Sequence, residues 1–187
     1  MLHFPEEVRT ARLLLSRLRL SDHDDLYRMA RDPQVAATLG GVPTEAVAEE
    51  RTRRLLAHWE QHGFGLWAAR DLASGRFAGR GGLRHWTNDG APEVELSYGL
   101  LPEFWGRGLA TELAAASVRA GFEVLGRPDL VSFTLPTNTR SRRVMEKVGF
   151  RYERDIVHAD LPHVFYRLTA ADWHAGPGGR GREGVSG

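Results

Sequence analysis

The sequence contains no cysteine and only one lysine, Lys147. Without thiols there is no disulfide framework, thiolate zinc site, iron–sulfur cluster or cysteine nucleophile. Long apolar runs are also missing, so no segment can span a bilayer as a helix. Neither charge is in excess: 25 Lys+Arg against 24 Asp+Glu leave a net charge of +1. That removes the electrostatic case for a nucleic-acid or membrane partner. Met1 to Val8 carries Glu6 and Glu7 and no apolar stretch of signal-peptide length, so the expected location is cytoplasmic. What is present, 42% hydrophobic and 26% charged residues over 187 positions, is the composition of one soluble globular domain. From Ala175 the chain is mostly Gly, Pro and Arg. Residues 175–187 are therefore expected to be a disordered tail on a domain of residues 1–174.

Apolar periodicity sets out the elements. A Leu-rich strand fits Thr10 to Leu20 and a helix follows from Ser21, a candidate cap. Asp32-Pro33 stops that helix. A second helix runs from Thr44 to about Gly63, with Ala48, Thr52, Leu55, Leu56 and Trp59 on one face. Phe64 to Arg70 and Arg76 to Trp86 read as a hairpin. The loop Asn88-Asp89-Gly90 leads to a third run, Glu93 to Leu101. A long helix opens at Gly106 and reaches about Leu125, apolar nearly all round, as in the middle of a domain. A buried-type strand, Leu130 to Leu135, precedes a helix from Thr139 to Val148 that Gly149 ends. Phe150 to Val157 and His163 to Thr169 flank a loop with Asp160 and Pro162. The order is that of a single α+β domain.

The sharpest local signal is Gly106-Arg107-Gly108-Leu109-Ala110-Thr111, between a strand and a buried helix. Open backbone N–H groups at a helix N-terminus attract anions, and glycine lets a phosphate approach closely. Packing or capping explains the same glycines equally well. A dinucleotide fold does not fit. Thr111 stands where a third glycine belongs, several strands precede the motif, and Asp129 begins the next strand instead of ending it.

The residues around the motif carry more. Glu95-Leu96-Ser97-Tyr98, Leu100, Pro102 and Trp105 to Glu112, followed by Asn138-Thr139-Arg140-Ser141 and Glu146 to Phe150, resemble the coenzyme-A-binding core of the Gcn5-related N-acetyltransferases. Thr10 to Leu15 and Asp32-Pro33 resemble the branch that acetylates the N-termini of ribosomal proteins. The likeness covers roughly Val8 to Ala170. It implies a three-layer fold with a mixed, mostly antiparallel, splayed sheet between helices, a homodimer, and acetyl-CoA as cosubstrate without a metal. The splay would part the strand Glu93 to Leu101 from Leu130 to Leu135. The pantetheine arm would pair with the backbone of Leu100 and Leu101. The pyrophosphate would sit on Gly106, Arg107, Gly108, Leu109, Ala110 and Thr111. Asn138 would hydrogen-bond the arm, although a helix N-cap is an equal reading. Two departures stand out: Trp105 replaces the usual Gln or Arg, and Met145 takes the place where many members carry a Tyr general acid.

Acetyl transfer needs a neutral amine, a polarised thioester carbonyl and a proton for the thiolate. An α-amine, of pKa about 7.7–8.0, is far closer to neutrality at pH 7 than a lysine near 10.4. A carboxylate helps either acceptor. Glu95, on one strand face with Glu93, Ser97 and Gly99, is the candidate base, with Glu93 in reserve; an exposed strand glutamate or a structural partner for arginine is the competing reading. Ser141, one turn beyond Asn138, is the candidate donor to the thiolate, or simply a first-turn serine; Tyr98 and Tyr152 are weaker alternatives. A backbone N–H near Tyr98 to Leu100 would polarise the carbonyl. His58 and His62 have i, i+4 metal spacing, but no third ligand is evident in the sequence. Trp59, Trp67 and Trp86 read as packing, and Asp160 and His163 as loop polarity or acceptor-pocket lining. The expected function is direct N-acetyl transfer to a primary amine, first of all a protein N-terminus. The alternatives are a small-molecule acceptor (a polyamine, antibiotic or amino acid) and an acyl-CoA-binding regulatory domain without turnover.

Overall fold

A computed structural model describes residues 3–88 and 90–176. The strand expected over Thr10 to Leu20 is the shorter β2 (Leu13–Arg17), and an unexpected strand, β1 (Glu7–Arg9), precedes it. The turn between them is held by Thr10, whose N–H donates to the Leu13 carbonyl and whose hydroxyl oxygen accepts the Leu13 N–H. Helix α1 (His23–Arg31) does not use Ser21 as its cap. Instead the buried Asp22 carboxylate accepts the Arg19 N–H and pairs with Arg70. Asp32-Pro33 ends α1 as expected and also starts a short helix, α2 (Pro33–Ala37), with the Asp32 side chain capping Gln34 and Val35. Helix α3 (Glu45–His62) is capped by Thr44 and stopped by Gly63 in the left-handed region, as the sequence indicates.

Four strands follow: β3 (Leu66–Asp71), β4 (Phe77–Asn88), β5 (Ala91–Leu100) and, after helix α4 (Leu109–Glu123), β6 (Asp129–Thr134). The predicted loop Asn88-Asp89-Gly90 has its middle residue outside the described residues. Helix α5 (Thr139–Lys147) precedes β7 (Arg151–His158) and β8 (Leu161–Thr169). The last pair is joined by a tight turn in which Ala159 and Asp160 both have positive φ, so Pro162 lies in a strand and not in the expected loop. A final helix, α6 (Ala170–Ala175), capped by Thr169, is absent from the sequence-based reading. It buries Trp173, stacked on Phe122 at 5.1 Å. The predicted tail of residues 175–187 thus begins on the last helical residue, and from 177 onward it lies outside the described residues.

The eight strands form one sheet in the order β1-β2-β3-β4-β5-β6-β8-β7, antiparallel except between β5 and β6. Side chains of β5 alternate between two helical layers. A Cβ at Gly99 would meet Met29 of α1, and one at Gly81, opposite Tyr98, would meet Leu113 of α4. The Glu95–Ser97–Gly99 face therefore lies toward α1, and the Leu96–Tyr98–Leu100 face toward α4. This is the expected α+β architecture, with the expected mixed, mostly antiparallel sheet. Among the described residues no helix is long and apolar enough to cross a membrane.

Candidate active site

The site starts from a defect in the sheet. β4 and β5 form a long hairpin, with the Leu101 N–H bonded to Ala78. By the alternation of an antiparallel ladder, the odd residues of β5 turn their backbone groups to β4 and the even ones toward β6. On that side the ladder contains a single pair, Glu95 with Val131. One residue further on, the Leu96 carbonyl takes the buried Ser132 hydroxyl at 2.8 Å, a side chain wedged where a backbone N–H belongs. Beyond it the strands part, and Tyr98 and Leu100 line one wall of a V-shaped gap with Glu95 at its apex.

The predicted arm-binding pair changes in the structure. Leu100 faces the gap, but its carbonyl accepts the Trp105 indole N–H at 2.7 Å. Leu101 donates its N–H to β4. The backbone groups turned into the gap belong to Tyr98 and to the N–H of Leu100.

At the open end of the V the chain passes through Gly106 (φ +73°) and Gly108 (φ +76°), backbone states that other residues rarely adopt. Gly108 is the N-cap of α4 and offers no side chain to it. The N–H groups of Leu109, Ala110 and Thr111 are the first-turn donors without intrahelical partners, so a pyrophosphate fits there. The loop is clamped from the N-terminal segment. Arg12 Nη1 donates to the Arg107 carbonyl at 2.6 Å, and Arg12 Nε to Glu112 at 2.8 Å. The Thr10 hydroxyl and the Arg12 N–H also reach Glu112, at 2.6 and 2.7 Å. Burial pushes the Glu112 carboxyl up, but these donors outweigh it and hold the group below its usual range. Arg107 turns back to Asp71 at 3.3 Å.

The opposite wall is the start of α5. Asn138 is its N-cap, accepting the Ser141 N–H at 3.2 Å, so the capping reading of Asn138 holds. Ser141 Oγ lies 3.0 Å from the Tyr98 hydroxyl, which also reaches the Ser141 carbonyl at 3.0 Å. Burial raises the Tyr98 phenol above its usual pKa, against the bond to Ser141. Met145 is fully buried in the core. Tyr98 and Ser141, on different elements, thus form the hydroxyl couple nearest the gap, while Tyr152 is exposed and bonded to Asp155.

Glu95 is 4% exposed and bonded to Arg84 Nε at 2.8 Å, so the arginine-partner reading also holds. Only Oε2 is engaged in that bond. Glu93 is less suited as a base: both its oxygens bind Arg167, which also holds Asp129 and Glu153. Beside Glu95, Trp86 packs on Phe133 at 4.6 Å, and Phe133 on His158 and His163 at 4.9 and 5.4 Å. This aromatic cluster is on the same sheet face as Glu95, and His163, in β8, belongs to it. A cavity of about 550 Å³ lies between α1 (Tyr27, Arg28, Arg31) and Leu101 with Glu103, and one of about 240 Å³ between α2 and residues 137–140.

The histidines supply the third member that the sequence did not, since His85 joins His58 and His62 with ligand atoms within 4.8 Å. Yet His58 Nδ1 donates to the Phe64 carbonyl at 2.8 Å and Nε2 accepts the His85 N–H at 2.9 Å. With both nitrogens in use, His58 joins two backbone segments and has no lone pair left for an ion. Arg84 and the Thr10–Arg12–Glu112 clamp were missed as site components. Their partners are 11 to 102 residues distant in sequence, and only the Glu112 motif hinted at them.

A family profile described as an acetyltransferase (GNAT) domain matches residues 12–151. An uncharacterized Bacillus subtilis (strain 168) protein, YkkB, is 27% identical over 166 residues, covering 83% of this chain and 94% of its own. The FsC-acetyl coenzyme A-N(2)-transacetylase of Aspergillus fumigatus is 29% identical over 88% of this chain and 76% of its own. An acetyltransferase structure from Agrobacterium tumefaciens str. C58 superimposes with TM-score 0.77 at 29% identity, covering 87% of this chain and 93% of that one.

Proposed function

Because this chain belongs to the acetyltransferase (GNAT) family and so moves an acetyl group from acetyl-CoA to an amine, we propose that the acceptor is an α-amine, in the first place that of a protein N-terminus. The observation that carries the transfer reading is the fork itself. A buried carboxylate, Glu95, stands at its apex, and open helix-terminal amides stand at its mouth.

Acetyl-CoA supplies the activated acyl carbon and a thiolate leaving group. The chain supplies everything else. Leu109, Ala110 and Thr111, with Gly106 and Gly108 giving close backbone access, hold the pyrophosphate, and Arg107 adds positive charge beside it. The Tyr98 backbone and the Leu100 N–H extend the sheet by one added strand along the arm. One of these N–H groups polarises the thioester oxygen. Glu95, through its free Oε1 and a water, takes the proton of the arriving ammonium. Arg84 fixes the carboxylate in place. Ser141, backed by Tyr98, returns a proton to the sulfur. The sequence holds no cysteine to form an acyl intermediate, and we read the transfer as direct within a ternary complex.

An α-amine acceptor agrees with the energetics. Deprotonating a lysine at neutral pH costs about 3.4 kcal/mol more than deprotonating an α-amine. Resemblance to the ribosomal-protein branch in Thr10 to Leu15 supports a protein N-terminus, and Thr10 and Arg12 are the residues that clamp the phosphate loop. The fungal relative's name, an N(2)-transacetylase, favours a small-molecule amine as the second reading.

The test is thiol release from acetyl-CoA with peptides beginning Ser, Ala or Met beside amino acids, polyamines and aminoglycosides. Turnover confined to the peptides supports the proposal. Turnover confined to a small amine moves the acceptor to the second reading.

A further inference from the structure

On strands β2 to β8, among the described residues, every arginine but one has a carboxylate within 4.0 Å. Arg17 has Glu6 and Glu60, Arg70 has Asp22, Arg84 has Glu95, Arg151 has Asp172, Arg154 has Glu153, and Arg167 has three acids. The exception is Arg80, in the middle of the sheet. Its one side-chain hydrogen bond is a long one, 3.4 Å from Nη1 to Ser97 Oγ.

Position makes this exception informative. Arg80 pairs with Gly99 and Arg84 with Glu95, so both guanidiniums rise from the face that carries Glu95 and Ser97. Arg51 of α3 adds a third positive charge close by. The one carboxylate near Arg80, Glu95, is hydrogen-bonded to Arg84 and not to Arg80. Burial and the neighbouring Arg84 push the Arg80 guanidinium down to about 10, still charged at neutral pH. A partly buried charge without a counter-ion is unfavourable in a protein interior, and the remedy is an anion. A guanidinium binds a carboxylate through paired N–H donors, and Ser97 adds a hydroxyl alongside.

We infer that Arg80 and Ser97 receive a carboxylate carried by the acceptor, so that the amine acetylated beside Glu95 belongs to a molecule with an anionic group close to that amine. This rests on the proposed placing of the acceptor on the Glu95 face. Two sources share the chemistry: the α-carboxylate of a free amino acid, and an Asp or Glu side chain within the first residues of a peptide. Polycations such as spermidine or an aminoglycoside would meet uncompensated guanidiniums and are disfavoured.

The first arm needs no variant. Wild-type kcat/KM is measured by thiol release for amino acids against their methyl esters, and for peptides beginning with Asp or Glu against the Asn or Gln counterparts. The expected preference is about ten- to hundredfold for the anionic member, in the amino-acid or the peptide series according to the source, as for a hydrogen bond to a charged group. In Arg80→Gln the preference disappears through KM with kcat nearly kept, Arg80→Lys restores part of it, and the Kd for CoA stays unchanged. Equal rates for each pair, a preference for spermidine, or a weakened CoA affinity in Arg80→Gln overturns the inference. A second readout needs no turnover: with CoA present, the anionic acceptors raise the Tm of the wild type and not of Arg80→Gln. If thiol release fails with every amine, the assigned acetyl transfer is at fault, and the Tm difference still decides for or against the anion site.

Discussion

Arg12 holds Glu112 at two points, through its backbone N–H at 2.7 Å and its Nε at 2.8 Å, across a sequence separation of 100 residues. The same guanidinium reaches the Arg107 carbonyl, so the chain's beginning fixes the loop that precedes α4. Removing the carboxylate leaves three donors without their acceptor. Glu112→Ala is expected to weaken CoA binding about tenfold, by titration calorimetry, and to lower Tm by several degrees. Glu112→Gln, which keeps part of the bonding, should fall between.

Glu95 carries two duties that different substitutions separate. Glu95→Gln keeps an acceptor for Arg84 and should fold normally while kcat falls about a hundredfold or more. Glu95→Ala strands the partly buried guanidinium and should in addition lose stability in urea, on the order of 2–4 kcal/mol. Rates for Glu95→Gln that match the wild type at and below neutral pH would remove Glu95 from the mechanism.

Ser141 is tested by changing the leaving group. Ser141→Ala is expected to slow transfer from acetyl-CoA about tenfold. The deficit should shrink with an acetyl thioester of a more acidic thiol, which leaves without a proton. Tyr98→Phe, which loosens the Ser141 hydroxyl, should show the same pattern more weakly. A deficit that is independent of the thiol would mark Ser141 as a helix residue only.

His58 links α3 to the sheet only while neutral, because Nε2 must accept the His85 N–H. Burial holds its imidazole down to about 4, against 6.5 when exposed. The folded pKa is therefore depressed: the contribution is complete above about 6.5, declines as the unfolded chain takes up the proton, and is gone below about 4. His85 and His158, both lowered by burial, act in the same direction. Urea midpoints should fall between pH 7 and pH 4.5 by an amount worth about 1–2 kcal/mol, allowing for partial exposure. His58→Gln should flatten much of that slope.

The Gly106–Thr111 turn into α4 was legible because its signal is local: two glycines, which the structure puts at positive φ, then an apolar helix. The helices from Thr44 and Thr139 were legible through their caps and periodicity. β1 was not, since three residues carry no period, and α6 was hidden by its brevity beside a Gly-rich tail. At the site, Glu95 could be picked from strand alternation, but its bond to Arg84 joins neighbouring strands and depends on register. The couple of Tyr98 with Ser141 depends on how α5 docks on β5, which no residue pattern reveals.

The single pair at Glu95 and Val131 has a mechanical side. It makes the sheet two panels, β1–β5 and β6–β8, joined by one ladder pair and a few side-chain contacts and backed by α4. A seam of that kind concentrates breathing motion: amides of Tyr98, Leu100 and β6 should exchange with solvent sooner than those inside either panel. A reactant lying in the gap acts as a strut between the panels. Its arrival should slow exchange on both sides of the seam at once, and its departure as product should release them together.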